Sequence, residues 1–547
     1  MKKIFNFTLA MAFGLCLTSC IDDIENINPQ QTTEMDADAL FNKVYATFVL
    51  TGQNGPADDN YADLLKMDEG RTQYTRMLWN VNELAADEAH WYWYKNDAGY
   101  EDLIHNTFGA DNAVTQGLFY RVYFNITECN LYLKYVPEDG TEETKARRAE
   151  AQLIRAMMYY TVMDLYGNGP FSDKYETGNS GEYYTRAQFF AWIEKELKEV
   201  ACRLRAPRTN TYGRLDKAAA WLMLSRLYLN AEVYAGTARW QDALTYADSV
   251  INHSGYKLHD TGCVSSTGEH FTPYQMLFLA DNDTNGAQNE AIFPLLHQGD
   301  KTQSYGAMHA LVLQSYSPDM SNDIPSGTDN NWGKCATIKM ALSKVFFGDK
   351  TDAEPNFDKV DKTKGSAADN AVLAAGDDRA LMYSKGYTQR VATEGEQTHG
   401  YSCVKFRNVT STGASTTTTN GFVDTDWPYL RFAEALLNYA EASIRLNGPN
   451  AAATAMINRL RNRADAYEQA SYNLEDVLNE WAKEFWWEGR RRMDLVRFGK
   501  YGGQNEYKWE FMGNAAEGNQ FPAYRNIFGI PSAEITNNPA IQPNPGY

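Results

Sequence analysis

Ala151-Gln152-Leu153-Ile154-Arg155-Ala156, running on through Met158 and Val162 to Asp164-Leu165-Tyr166-Gly167, decides the fold class. Ala151, Ile154, Met158, Val162 and Leu165 recur at three- and four-residue steps, which is one face of an α-helix. Gly167-Asn168-Gly169-Pro170 then stops it. The same texture returns on either side. Residues 37–49, 114–136, 214–234 and 240–250 carry helical spacing, and 428–446, 451–464 and 473–498 form a later set. Small residues alternate with large ones in units of roughly 34 residues, as in tetratricopeptide-like helix pairs. The chain is therefore expected to be mainly α.

Between residues 262 and 426 the texture changes: Gly, Ser, Thr, Asn and Asp dominate, with a helical patch only near 339–346. A long irregular region of this kind inside a compact domain is usually functional or mobile, and here it reads as surface loops. The plan that follows is one domain over 20–547. Its helical scaffold spans about 35–260 and 427–505, and variable loops with a few short strands occupy about 53–112 and 261–426.

The first residues read as an address. Lys2 and Lys3 precede a short apolar run, 7–17, ending in Leu17-Thr18-Ser19-Cys20. That run is too short to span a bilayer, and the pattern marks 1–19 as a removed signal peptide. The last four residues resemble a lipobox, so Cys20 becomes the acylated first residue and anchors an otherwise soluble chain to a membrane. The net charge of −19 excludes nucleic acid as a partner, since nothing offsets phosphate repulsion. Beyond the leader, five widely spaced cysteines offer neither a metal knuckle nor a redox pair.

The functional candidate is 82–97, with Trp91-Tyr92-Trp93-Tyr94 at its centre and Lys95, Asn96 and Asp97 directly behind. If this stretch is extended, Trp91 and Trp93 share one face and make an apolar platform about 7 Å long. Arg76, Asp87 and Asn96 would lie at its edge. Sugar rings, with a C–H face and a hydroxyl rim, suit such a surface.

Taken together, these segments resemble the SusD/RagB family of outer-membrane lipoproteins. So do Gly213-Arg214-Leu215-Asp216-Lys217-Ala218, Leu430-Arg431-Phe432-Ala433-Glu434-Ala435, Glu484-Phe485-Trp486-Trp487-Glu488-Gly489-Arg490-Arg491 and Asn544-Pro545-Gly546-Tyr547. The resemblance implies a scaffold of four tetratricopeptide-like helix pairs supporting a variable loop-rich half. It also implies a lipid-anchored, surface-facing position on the outer membrane and a SusC-like TonB-dependent transporter as partner, over which the protein acts as a lid. The acidic Asp22-Asp23-Ile24-Glu25 behind Cys20 is similar to the signal that accompanies export to the cell surface in the Bacteroidetes.

Within the family the likeness is greatest to the starch-binding founder, through Asn82-Glu83-Leu84, Trp91-x-Trp93-x-x-Asn96, Ser304-Tyr305-Gly306 and Trp332. That likeness implies a non-catalytic binder of starch and maltooligosaccharides. Its aromatic arc falls on Trp91, Trp93, Tyr305 and Trp332, with Asp68, Arg76 and Asn96 as polar partners. It also implies a structural Ca²⁺ held by Asp283, Asp424 and Asp426, whose carboxylates are the hard oxygen donors calcium prefers. The alternatives are a related binder of another glycan, or a glycoside hydrolase. The second is poorly supported, because with 70 acidic residues some carboxyl pair always meets the spacing a hydrolase needs. No nucleophile elbow, zinc helix or phosphate-cradling loop appears either. Trp481, Phe485, Trp486 and Trp487 sit at core spacing, and Arg490, Arg491 and Arg492 are expected to pair with acids of neighbouring helices.

Overall fold

The computed structural model describes residues 36–52, 63–64, 70, 72–176, 181–320, 323–348, 369–414, 416 and 421–547. The signal peptide, Cys20 and Asp68 lie outside the described residues.

The described chain opens with helix α1 (Ala37–Ala46), whose first turn is capped by the Asp36 carboxylate. Helix α2 (Tyr74–Trp79) runs directly into one π turn, Asn80–Leu84, and strand β1 (Ala89–Trp91) follows. Five longer helices come next: α3 (Ala113–Tyr135), α4 (Glu142–Leu165), α5 (Arg186–Ala201), α6 (Lys217–Leu229) and α7 (Trp240–His253). Their starts are legible. Asn112, Thr141, Thr185 and Asp216 each accept a backbone N–H of the first turn, and Thr185 with Gln188 completes a capping box.

The loop-rich half supplies β2 (Ala291–Leu295), α8 (Ala307–Ser315), β3 (Ala336–Ile338) and α9 (Met340–Phe347). Strand β4 (Trp427–Arg431) leads straight into α10 (Phe432–Asn447), followed by α11 (Ala451–Arg463), α12 (Leu474–Phe485) and α13 (Arg491–Arg497).

Each scaffold helix packs on the next: α3 on α4, α4 on α5, α5 on α6, α6 on α7, then α7 on α10, and α10 on α11 and α12. The short connections, such as 136–141, make neighbours antiparallel. Ile154, Met158 and Val162 of α4 are fully buried in this stack, as their spacing requires. The expected mainly α scaffold forms. The strands stay short and come in antiparallel twos. Two pairs matter for the site: β1 with β3, and β2 with β4. The first lays Trp91 opposite Ala336, and the second ties the loop half to the foot of α10. Among the described residues no helix is long and apolar enough to cross a membrane, and the five cysteines are unpaired.

Two expected elements break, each for a visible reason. The stretch 473–498 is two helices, because Trp487 (φ 61°) and Gly489 (φ 79°) turn left-handed between them. Two buried carboxylates hold that turn: Glu88 accepts the Trp487 N–H at 2.8 Å and Glu83 the Arg490 N–H at 2.8 Å. Burial lifts Glu83 to about 7, and burial with the Glu83 charge beside it lifts Glu88 well above the carboxylate range. The stretch 214–234 likewise divides, with Asn230 ending α6 and Ala231–Ala235 forming a separate turn.

Trp481, Phe485, Trp486 and Trp487 are all core. The three arginines behind them all find acids, two of them on neighbouring helices as expected. Arg490 reaches Glu434 of α10 at 3.5 Å as well as Asp494 of its own helix at 3.2 Å, Arg492 pairs with Asp164 near the end of α4, and Arg491 instead forks onto Asp87, in the turn before β1, at 2.8 and 2.9 Å. Asp87 is thereby removed from the candidate site. It is buried under a guanidinium that, with Tyr507, outweighs the burial and holds its carboxyl below the usual range.

Candidate functional site

The aromatic stretch does not stay extended. Strand β1 ends at Trp91, and the chain turns at once: the N–H groups of Asn96 and Asp97 donate to the Trp93 carbonyl at 2.8 and 3.2 Å. The alternation that would set two indoles side by side is lost in that turn. Trp91 is 2% exposed, packs on Tyr100 at 4.9 Å and donates its indole N–H to Asp97 at 2.6 Å. It is a core residue, and its assignment to the sugar-facing arc is corrected. Trp93, at the turn, is 39% exposed.

Three other elements bring the remaining rings to it. The Tyr92 N–H donates to the Cys335 carbonyl at 2.6 Å, so the chain around Trp93 runs beside 333–335. A Cβ on Gly333 would sit 3.9 Å from Trp93 Cζ2, so that indole abuts the residue following Trp332. Trp332 is half-buried, and the Arg76 guanidinium from α2 lies 4.9 Å from its ring centre. Arg76 also donates to the Tyr305 carbonyl at 3.1 Å, which fixes the start of α8 against the same arginine. Tyr305 is 37% exposed. Trp93, Trp332, Tyr305 and Arg76, up to 256 residues apart in the chain, therefore converge, with exposed Asn96 three residues beyond Trp93.

Sequence reasoning missed what lies beneath. His309 of α8 is buried, with its ring 6.1 Å from Tyr305, 6.2 Å from Trp332 and 4.5 Å from Phe422. Phe422 in turn lies 5.8 Å from Tyr305. Nothing in the spacing of a lone histidine and a loop phenylalanine signals such a foundation. Burial holds His309 neutral, down at about 3. Because its folded value lies below that of the unfolded chain, it supports stability above about pH 6.5 and loses that support as pH falls. His309→Phe is expected to reduce the drop in unfolding free energy between pH 7 and pH 5 by about 2 kcal/mol, measured by urea denaturation at the two values.

The three predicted calcium carboxylates are near enough to feel one another. Asp426 is pushed up to about 7, chiefly by burial, with the Asp283 and Asp424 charges adding to the rise. Asp426 accepts the His297 N–H at 2.7 Å and the Tyr212 hydroxyl at 3.0 Å, and Asp424 accepts the Gly299 N–H at 2.8 Å. Among the described residues, however, no three His, Cys, Asp or Glu side chains are gathered closely enough to grip a metal as they stand. The donor chemistry fits calcium; the cage is not closed.

Comparison with known proteins gives the arrangement its context. Residues 328–547 match the model of the SusD family, and residues 58–229 match one described as "Starch-binding associating with outer membrane". The chain is 35% identical over 570 aligned residues to the starch-binding protein SusD of Bacteroides thetaiotaomicron, covering 100% of this chain and 99% of that one. Two solved structures share the fold. Surface glycan-binding protein A from Bacteroides uniformis aligns with TM-score 0.63 at 19% identity, over 93% of this chain and 99% of its own. Surface glycan-binding protein A from Bacteroides thetaiotaomicron, solved with laminarihexaose, aligns with TM-score 0.65 at 17% identity, over 93% and 98%. With full-length identity at this level, the chain belongs to the SusD family.

Proposed function

We propose that this protein is a non-catalytic, outer-membrane-associated glycan binder whose ligand is starch and its maltooligosaccharides. One observation carries the reading: Trp93, Tyr305 and Trp332 meet at one exposed place around Arg76, although the sequence scatters them. The Tyr305 and Trp332 rings lie at 36° and 86° to the His309 ring and so are not coplanar, which favours a curved α-1,4-glucan over a straight chain lying flat. Arg76 and Asn96 supply donors for hydroxyl groups at the edge. Each stacked ring contributes roughly 0.5–1.5 kcal/mol beyond area burial, so a single site binds modestly and a polymer gains by repeated engagement. Modest capture suits a lid that passes its ligand to a SusC-like TonB-dependent transporter, with acylated Cys20 holding the protein on the surface.

Affinity electrophoresis tests this reading: migration is expected to be retarded in gels containing amylopectin and unchanged in gels containing laminarin. Retardation by laminarin instead would favour the second reading, a related β-glucan binder, for which the laminarihexaose-bound structural relative is the motive. Shortening of the glucan during incubation would overturn the non-catalytic assignment.

Calcium belongs to the same proposal. Asp283, Asp424 and Asp426 would hold it, and its charge would offset both the burial that chiefly lifts Asp426 and the repulsion from Asp283 and Asp424 that adds to it. It would tie the 281–299 loop to the entry of β4. Chelation is expected to lower the melting temperature of the wild-type protein by several degrees and to leave Asp424→Asn unmoved, as read by differential scanning fluorimetry with and without added Ca²⁺. An unmoved wild type would remove calcium from the account.

A further inference from the structure

Directly after Trp332 and Gly333 comes a lysine in an unusual place. Lys334 is fully buried and left-handed (φ 55°). Its ammonium donates to the carbonyls of Gln397 and Gly400 at 2.8 Å each, with the His399 carbonyl at 3.5 Å, and lies 3.6 Å from the centre of the Tyr387 ring. Among the described residues no carboxylate pairs with it. A buried ammonium is tolerated only where such donors are satisfied, and the desolvated ring contact adds a further attraction.

Those carbonyls belong to the segment that also touches the shelf. The Gln397 side chain donates to the Gly333 carbonyl, and Gly333 is the residue that Trp93 abuts. The backbone on the other side is fixed too: the Lys334 N–H donates to Tyr316 at 2.7 Å and the Trp332 N–H to Leu313 at 2.8 Å, both at the end of α8. One cation thus holds together the loop bearing Trp332, the 397–400 segment and, through Gly333, the indole of Trp93.

We infer that Lys334 is a positioning residue for the glucan-binding shelf: its charged ammonium, clasped by the 397–400 carbonyls, fixes the relative setting of Trp93 and Trp332. The inference rests on the proposed starch-binding role for its ligand but not for its geometry. Burial draws the Lys334 ammonium well below the ordinary lysine range, so the clasp weakens as pH rises. The titratable groups facing it are Tyr387, whose phenol burial raises, His90, which burial, then the Lys339 and His105 charges and last this ammonium, hold neutral, and His399, whose ring is bonded to Thr393. Lys339, just before α9 and held at about 8 by burial, bonds the Leu84 and Ala86 carbonyls instead.

Lys334→Met keeps the stem and removes the charge. In it the indole ¹⁵N–¹H resonances of Trp93 and Trp332 are expected to shift, and maltoheptaose affinity to fall at least 10-fold, with unchanged far-ultraviolet circular dichroism. Wild-type affinity is expected to decline as pH is raised, and Lys334→Met to show no such slope. Lys334→Arg, whose guanidinium stays charged throughout, is expected to be flat as well and serves if the methionine variant fails to fold. Unmoved indole resonances would overturn the inference, as would a pH slope that persists without Lys334, which would belong to Lys339. A wild type that binds no glucan would sink the proposed function while leaving the indole readout to judge Lys334.

Discussion

Replacing Trp93 and Trp332 together by alanine is expected to abolish retardation in amylopectin gels and to weaken maltoheptaose binding by about 100-fold, with helical circular dichroism intact. The magnitude follows from two rings at about 1.4 kcal/mol each, one factor of ten apiece. The structure explains why folding should survive. Trp93 is 39% exposed on a turn, and the chief partner of Trp332 is the Arg76 guanidinium, which keeps its bond to the Tyr305 carbonyl. Trp91→Ala makes the contrast sharp. That indole is fully packed and bonded to Asp97, so its loss is expected to cost about 3–5 kcal/mol of stability, read by urea denaturation. Tyr135→Ala, which removes a ring 44% exposed elsewhere on the surface, should leave binding unchanged. If the Trp93/Trp332 variant loses its helical signal along with binding, the rings are structural and the shelf does not exist.

What the sequence made legible divides by the range of the interaction. The scaffold was readable because its cause is local: Ile154, Met158 and Val162 must share a face once the chain is helical, and caps such as Asn112 and Thr141 lie within three residues of what they satisfy. The breaks were not readable. The turn at Trp487 and Gly489 depends on Glu83 and Glu88, some 400 residues earlier. Trp91 failed for a related reason. Period-two alternation is valid only while a strand lasts, and β1 ends at that residue. Trp93, Tyr305, Trp332 and Arg76 were named through resemblance, yet their convergence depends on β1 pairing with β3, a contact between segments about 250 residues apart. His309, Phe422 and Lys334 carried no local signal at all.

The other large effect lies where the two halves of the molecule are joined. Glu484→Gln is expected to lower unfolding free energy by about 3–5 kcal/mol and to reduce soluble yield, checked by urea denaturation of whatever folds. Glu484 of α12 is fully buried and meets three arginines: Arg431 at 2.6 Å, Arg379 at 3.2 Å, and Arg463. Those cations outweigh the burial and hold its carboxyl far below the usual range. Arg431, at the end of β4, also reaches Glu290 at 3.1 Å and Glu488 at 2.7 Å, so β4, the β2 entry and the α12–α13 turn share one network. Glutamine keeps the shape and removes the charge, which leaves Arg431, Arg463 and Arg379 facing one another in a low-dielectric interior, because Glu480, Glu488 and Asp377 are already shared with Arg461, Lys405 and Lys483 and only Glu290 remains to them alone. The penalty comes from that uncompensated charge rather than from a lost hydrogen bond, so neutralising a cation as well should recover part of it. Arg463→Met in the Glu484→Gln background is therefore expected to be more stable than Glu484→Gln alone, a non-additivity that a double-mutant cycle reads directly. Simple addition of the two losses would show that the joint between helices and loops is held by packing, and that the ion network is incidental to it.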